Sequence, residues 1–162
     1  MPSKQQSIIL GGLVVTILST SYLSYVNFLC CLGVLAGAIV AVWHYTETNE
    51  LTISSGDGAV MGILAALFGL VLASILNYAL IKMGIRHDLA ISQFILNSMG
   101  DNMPPEQYDA MVEQMEMEYS IGVMLKNLAF GAIAYVIFGA IGGLLGAKMF
   151  KKGGDEPTDF EG

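Results

Sequence analysis

The sequence is poor in charged residues, which make up 13% of its 162 positions, against about 25% in an average soluble domain. Positions 5–46, 58–81 and 127–147 contain no Asp, Glu, Lys or Arg at all, while hydrophobic residues reach 54% of the chain. Uncharged apolar runs of this length exclude an ordinary water-soluble globule and also exclude intrinsic disorder.

Positive charge is especially scarce. The chain has 7 Lys and Arg against 14 Asp and Glu, so its formal net charge is -7. A nucleic-acid-binding surface needs clustered lysine and arginine to neutralise phosphates. The composition therefore predicts no nucleic-acid partner.

Cysteine is nearly absent as well. The two cysteines, Cys30 and Cys31, are adjacent in the chain, which excludes a disulfide framework and leaves the redox compartment undefined. Inside an apolar run they are expected to pack against neighbouring side chains. Acylation is the alternative if they lie near the lipid headgroups.

No catalytic or cofactor motif is present. The sequence lacks a credible Ser-His-Asp set, an HExxH motif and a phosphate-binding loop, so we predict no enzyme, no cofactor and no catalytic residue. His44 and His87 lack partners at metal-ligand spacing. Five methionines between positions 99 and 117 leave a copper(I) site as the alternative to apolar packing.

The apolar runs predict four membrane crossings, since a hydrocarbon core of about 30 Å needs roughly 20 helical residues. Positions 58–81 and 127–147 supply 24 and 21 residues, enough for one helix each. Positions 7–45 would form a helix of about 58 Å, so we expect this run to fold back near residues 24–27. The predicted spans are about 7–24, 28–45, 58–82 and 122–148. A re-entrant first run would leave three spans.

The first apolar run also imitates a cleavable signal peptide. Lys4 precedes the apolar stretch 8–18, and the small residues Ser19 and Ser21 follow it. Another apolar run, at 22–45, comes next instead of a soluble domain. We therefore favour membrane spans over a signal peptide.

Lysine and arginine predict the orientation of these spans. With four crossings both termini lie on one side, together with Lys4 and the cluster Lys148, Lys151 and Lys152. The other side carries Lys82, Arg86 and Lys126, but the cluster after the last span is the densest, and because Lys and Arg concentrate in cytoplasmic segments we expect both termini to be cytoplasmic.

Small residues recur every four positions within the spans, which places them on one face of each helix. Such faces let two helix backbones approach closely. Packing within one bundle is the simpler interpretation, and a homo-oligomer contact is the alternative. The predicted packing glycines are Gly33, Gly37, Gly62, Gly69, Gly139 and Gly143.

A long polar insertion, residues 83–121, separates the last two spans, and a charged tail, residues 149–162, ends the chain. Pro104 and Pro105 predict a helix start, and Gly100 predicts the end of a shorter helix before it. The second helix has an acidic face and an apolar stripe that we expect to dock onto protein, because acidic residues disfavour lipid headgroups. The predicted docking residues of that stripe are Tyr108, Met111, Met115 and Tyr119.

The order of spans, the loop motif Met103-Pro104-Pro105-Glu106-Gln107 and the last-span ending Gly142-Gly143-Leu144-Leu145-Gly146-Ala147 before lysines resemble the bacterial DUF4199-type membrane proteins. The resemblance implies a small bacterial inner-membrane protein of unknown function. It implies no catalytic residue.

The sequence therefore predicts an all-α polytopic membrane protein, with four transmembrane helices in a Gly/Ala-packed bundle and an acidic helical extramembrane loop. Its expected partners are the lipid bilayer and a second copy or another membrane protein, and its expected role is non-enzymatic association through Gly/Ala faces. The alternative is an oligomeric small-solute channel or carrier lined by Ser74, Asn77 and Tyr135.

Overall fold

A computed structural model of the protein describes residues 3–20, 31–85, 89–116 and 120–152. These residues form six α-helices and one 3-10 turn, Gly100–Asn102, which confirms the all-α prediction. The helices are α1 (Gln5–Ser19), α2 (Leu32–Asn49), α3 (Ser55–Lys82), α4 (Leu89–Met99), α5 (Pro105–Glu116) and α6 (Ile121–Met149).

Helices α1, α2, α3 and α6 pack side by side, and neighbours in the sequence run in opposite directions. The extensive contacts are α3 with α6, α1 with α2, α1 with α3, α2 with α6 and, across the middle, α2 with α3. The start of α1, the end of α2, the start of α3 and the end of α6 therefore meet at one end of the molecule, which we call the terminal end. The opposite end, where the insertion leaves α3 and returns to α6, is the insertion end.

Two long helices begin at serine caps. The Ser54 hydroxyl accepts a hydrogen bond of 3.1 Å from the Asp57 backbone N–H, and the Ser120 hydroxyl accepts one of 3.4 Å from Val123. Each bond satisfies a backbone donor that the first turn of a helix leaves without a partner.

The first two helices differ from the predicted spans 7–24 and 28–45. Helix α1 ends at Ser19 because the next residue, Thr20, is extended, with φ -108° and ψ 145°. Helix α2 starts only after Cys31, whose left-handed backbone (φ 55°) cannot continue a helix. Its polar end stays helical to Asn49, whose side chain donates a hydrogen bond of 2.8 Å to the Tyr45 carbonyl. The predicted turn at 24–27 lies outside the described residues.

Two of the described helices, α3 and α6, are long and apolar enough to cross a membrane. Helix α1 is apolar but shorter, with 15 residues, and α2 ends in the polar segment Thr46-Glu47-Thr48-Asn49. Of the four predicted crossings, length and composition therefore support two.

Candidate functional site

The α3 and α6 helices touch through their backbones. A Cβ atom added at Gly58 would lie 2.6 Å from the Gly143 carbonyl oxygen, and one added at Gly139 would lie 2.9 Å from the Gly62 carbonyl oxygen. A Cβ at Gly62 or Gly143 would collide with the backbone of the facing helix. No side chain larger than hydrogen therefore fits at these four positions without moving a helix.

Helix α1 makes a similar contact with its two neighbours, and Val15 lies at the centre of it. A Cβ at Gly37 in α2 would clash with the Val15 side chain and lie 2.7 Å from the Gly11 carbonyl oxygen. A Cβ at Gly69 in α3 would lie 2.5 Å from Val15 Cβ and 2.8 Å from the Gly12 carbonyl oxygen. Val15 itself is fully buried.

The structure thus places five of the six predicted packing glycines against another helix of the same chain, namely Gly37, Gly62, Gly69, Gly139 and Gly143. The sixth, Gly33, is buried at the start of α2. These contacts correspond to packing within one chain.

Four further packing glycines escaped the sequence prediction, and three of them stand in Gly-Gly pairs. Gly11 faces α2 while Gly12 faces α3, and Gly142 faces α2 while Gly143 faces α3. Consecutive residues point about 100° apart around a helix, so a glycine pair lets one helix approach two neighbours at once. The missed positions are Gly11, Gly12, Gly142 and Gly146. The Gly-Gly pairs were the signal that could have found the first three, and the four-residue step from Gly142 was the signal for Gly146, which also faces α2.

Polar side chains between the helices bond mainly to nearby backbone. The Thr16 hydroxyl donates a hydrogen bond of 2.8 Å to the Gly12 carbonyl, and the Ser74 hydroxyl donates one of 2.8 Å to the Leu70 carbonyl. The Tyr135 hydroxyl donates a hydrogen bond of 2.9 Å to Ser19 Oγ and so joins α6 to α1. Two of the residues that the channel hypothesis assigned to a pore lining, Ser74 and Tyr135, are therefore engaged in hydrogen bonds within the chain.

An ion pair holds the terminal end of α1 against α3. Lys4 Nζ lies 2.8 Å from Asp57 Oδ1, and the two side chains are 30% and 20% exposed. The second carboxylate oxygen of Asp57 accepts a hydrogen bond of 2.7 Å from the Ser54 hydroxyl. Asp57 therefore serves both the predicted helix start and the packing of α1.

A second set of bonds holds the segment after α6 against the short connection between α2 and α3. The Thr52 hydroxyl donates to the Lys152 carbonyl and accepts from the Lys152 N–H, both at 2.9 Å. Lys152 Nζ also lies 2.8 Å from Glu47 Oε1. The lysine cluster used to predict orientation is thus partly engaged by an acidic residue of the same end.

The insertion forms a helical hairpin in which α5 packs against α4. Met111 and Met115 are half-buried, whereas Tyr108 is 43% exposed and its ring would lie 3.4 Å from a Cβ at Gly100. Tyr119 lies outside the described residues. Docking of this stripe onto the bundle or a partner therefore stays a prediction. The structure shows helix α5 in contact with α4.

Among the described residues, the candidate metal and thiol groups His44 and Cys31 have separate surroundings. In the described ranges, no three His, Cys, Asp or Glu side chains are arranged to hold a metal ion. His44 Nδ1 is hydrogen-bonded to Ser7 Oγ at 2.9 Å, and His87 and Cys30 are among the residues not described. Cys31 is half-buried and packs against the core residues Val15, Val34 and Ala66.

Comparison with curated proteins and with solved structures gave no match. The family model for the proteins of unknown function DUF4199 matches residues 7–152. The match includes all six helices except the first two residues of α1. It therefore includes the glycine contacts, the insertion and the Thr52 contact with Lys152, and the chain belongs to the DUF4199 family.

Proposed function

We propose that the protein crosses the membrane four times, through α1, α2, α3 and α6, and acts there by association rather than by catalysis. The observation that carries the membrane assignment is the exposure of α6. Its most apolar 18 residues have a mean hydropathy of 2.2, yet only 17% of them are buried. A core helix of a soluble protein would bury such a surface, so lipid is the medium that fits it.

The outward face of α1 supports its assignment as a span. Ile9, Leu13 and Ile17 recur every four residues and are 38%, 44% and 60% exposed, on the side away from Gly11, Gly12 and Val15. At about 1.5 Å per residue, 15 residues extend about 22 Å, short of the roughly 30 Å core. A span shorter than the hydrocarbon core is accommodated by local thinning of the bilayer or by flanking side chains that extend to the headgroups. Lys4, just before α1, is such a flanking residue.

Under this proposal both termini face the cytoplasm of a bacterial cell and the insertion lies outside its inner membrane. A cytoplasm-active reporter fused after Gly162 is expected to work, because Lys148, Lys151 and Lys152 follow the last span. A reporter active only outside should work when inserted at Gln107. Activity of the opposite reporter at both positions would reverse the orientation, and the same reporter working at both would remove the crossing between them.

The insertion-end half of α6 is the surface that we assign to association. Within residues 121–130 seven positions are exposed and Val123, Met124 and Leu128 are half-buried, so the other described helices cover only part of this half. Large apolar side chains dominate it, with Phe130 69% exposed and Leu125 55% exposed. The exposed positions are Ile121, Gly122, Leu125, Lys126, Asn127, Ala129 and Phe130.

One polar side chain on this half-helix, Asn127, favours a protein contact over lipid alone. It is exposed in the second turn of α6, and an amide too short to reach the headgroups usually bonds to another protein, whereas the neighbouring Lys126 can extend to them. The Gly/Ala faces are occupied inside the chain. A second membrane protein or a second copy would therefore meet larger side chains here.

Photo-crosslinking in native membranes tests this assignment. A photoreactive phenylalanine analogue at Phe130 is expected to give a discrete protein adduct, because this side chain would face the partner. The adduct mass separates the sources, since a second copy would double the chain mass of 17.3 kDa. The matched control is the same analogue at Ile17, which is 60% exposed on α1 and should meet lipid. Equal adducts at both positions, or none at Phe130, would refute association through α6.

A further inference from the structure

Helix α4 differs from the rest of the insertion in carrying no charge. Its sequence, Leu89–Met99, has no Asp, Glu, Lys or Arg, whereas α5 has four acidic residues and no basic one. Burying a charge near hydrocarbon is costly. Of the two insertion helices, α4 is therefore the one that can enter a lipid surface at little cost.

One face of α4 presents an aromatic side chain among uncharged polar groups. Phe94 is 69% exposed, and its neighbours on the same face, Gln93, Asn97 and Ser98, are exposed too. Leu89, Ser92, Ile95 and Leu96 are half-buried, and α4 packs against α5. An exposed phenylalanine on a helix without charged residues can insert just below the headgroups of a bilayer.

Exposed apolar side chains continue from the end of α3 toward α4. Met83 is 76% exposed and Ile85 is 46% exposed. Leu89 follows Ile85 by four peptide units, so α4 begins within about 15 Å of it. At the same end of the molecule Ile121, the first residue of α6, is 56% exposed. Large exposed apolar side chains thus lie where α3 ends and where α6 begins, at both attachments of the insertion.

We infer that α4 is an interfacial helix that lies on the outer bilayer surface, with Phe94 inserted at the boundary between headgroups and acyl chains. The inference rests on the proposed membrane crossing. Helix α5 then covers α4 from the water side and directs Glu106, Asp109 and Glu113, all exposed, away from the lipid. The acidic charge of the insertion and the lipid contact of α4 are compatible because they lie on different helices.

Fluorescence quenching by brominated lipids tests this position. The chain has one tryptophan, Trp43, so Trp43→Phe gives a silent background. In that background Phe94→Trp is reconstituted in phosphatidylcholine vesicles with bromine near the headgroup end or near the terminal end of the acyl chains. We expect a larger loss of fluorescence with the shallow bromines than with the deep ones. Gln107→Trp, at an exposed position of α5, should lose no fluorescence with either brominated lipid.

A third variant separates this inference from the proposed crossing. Val71 is 46% exposed near the middle of α3, so Val71→Trp should be quenched most by deep bromines. If Val71→Trp is quenched and Phe94→Trp is quenched no more than Gln107→Trp, α4 is not interfacial, whether water or protein surrounds it. If Val71→Trp is not quenched either, the membrane crossing itself is wrong.

Discussion

Replacing Gly143 by alanine is expected to lower the free energy of unfolding by about 3 kcal/mol, at the upper end of the usual cost of overpacking. The added methyl would meet the Gly58 carbonyl, whose carbon would be 2.7 Å away, and the Ala59 Cα atom at 3.0 Å. Both are backbone atoms and cannot rotate aside. Helix α3 would have to move, and its contacts with Gly139 would weaken together with this one. Titration with SDS from mild detergent, followed by circular dichroism, measures the loss.

Gly131→Ala is the matched control on the same helix. A Cβ at Gly131 would be 3.5 Å from Leu70 Cδ1, which is an ordinary contact with the flexible end of a side chain. Because alanine favours helix over glycine by about 1 kcal/mol, this variant should be unchanged or slightly more stable. Similar losses in the two variants would mean that the backbone contact between α3 and α6 contributes nothing specific.

Replacing Met111 by aspartate is expected to raise amide hydrogen exchange across α5 by roughly 10-fold or more, because a carboxylate would replace an apolar side chain that is half-buried in the insertion. Met111 is half-buried, and α5 has 12 residues. Isolated helices shorter than about 12 to 15 residues are marginal in water, so α5 should unfold once it leaves α4. Exchange measured by mass spectrometry should remain slow in α3 and α6.

Ala110→Asp places the same charge on the neighbouring residue, which is exposed, and should leave exchange in α5 nearly unchanged. If both aspartates accelerate exchange equally, charge alone and not the buried contact controls the helix. Fast exchange in the unmodified protein would mean that α5 is not docked and would contradict the hairpin packing.

The glycine contacts illustrate how far a sequence pattern reaches. The four-residue spacing of small residues, which includes Gly62 on α3 and both Gly139 and Gly143 on α6, predicted small faces on these helices, and the faces meet in the structure. The spacing is a property of a single helix, so it can be read locally. The role of Gly12 and Gly142 could not be read in this way, because it depends on a second neighbour that packs about 100° further around the helix.

Contacts between distant residues were also beyond prediction. Thr52 and Lys152 are 100 positions apart, and Lys4 and Asp57 are 53 apart. These residues meet because antiparallel helices bring the start of α1, the connection after α2 and the end of α6 to one level. The sequence showed the charges and the helix start, and the packing of the helices selected the partners.

By itself the sequence determined that the chain is helical and apolar, and it placed both ends of α3 and α6 within three residues of their observed positions. Hydropathy and helical periodicity are carried by neighbouring residues, so such features need no knowledge of the fold. Only the tertiary structure decided that α2 runs from Leu32 to Asn49, which helix each glycine faces, and that α5 packs against α4. These outcomes depend on how each helix is rotated about its axis and on the shape of the surface opposite, and both are set by residues far away in the chain.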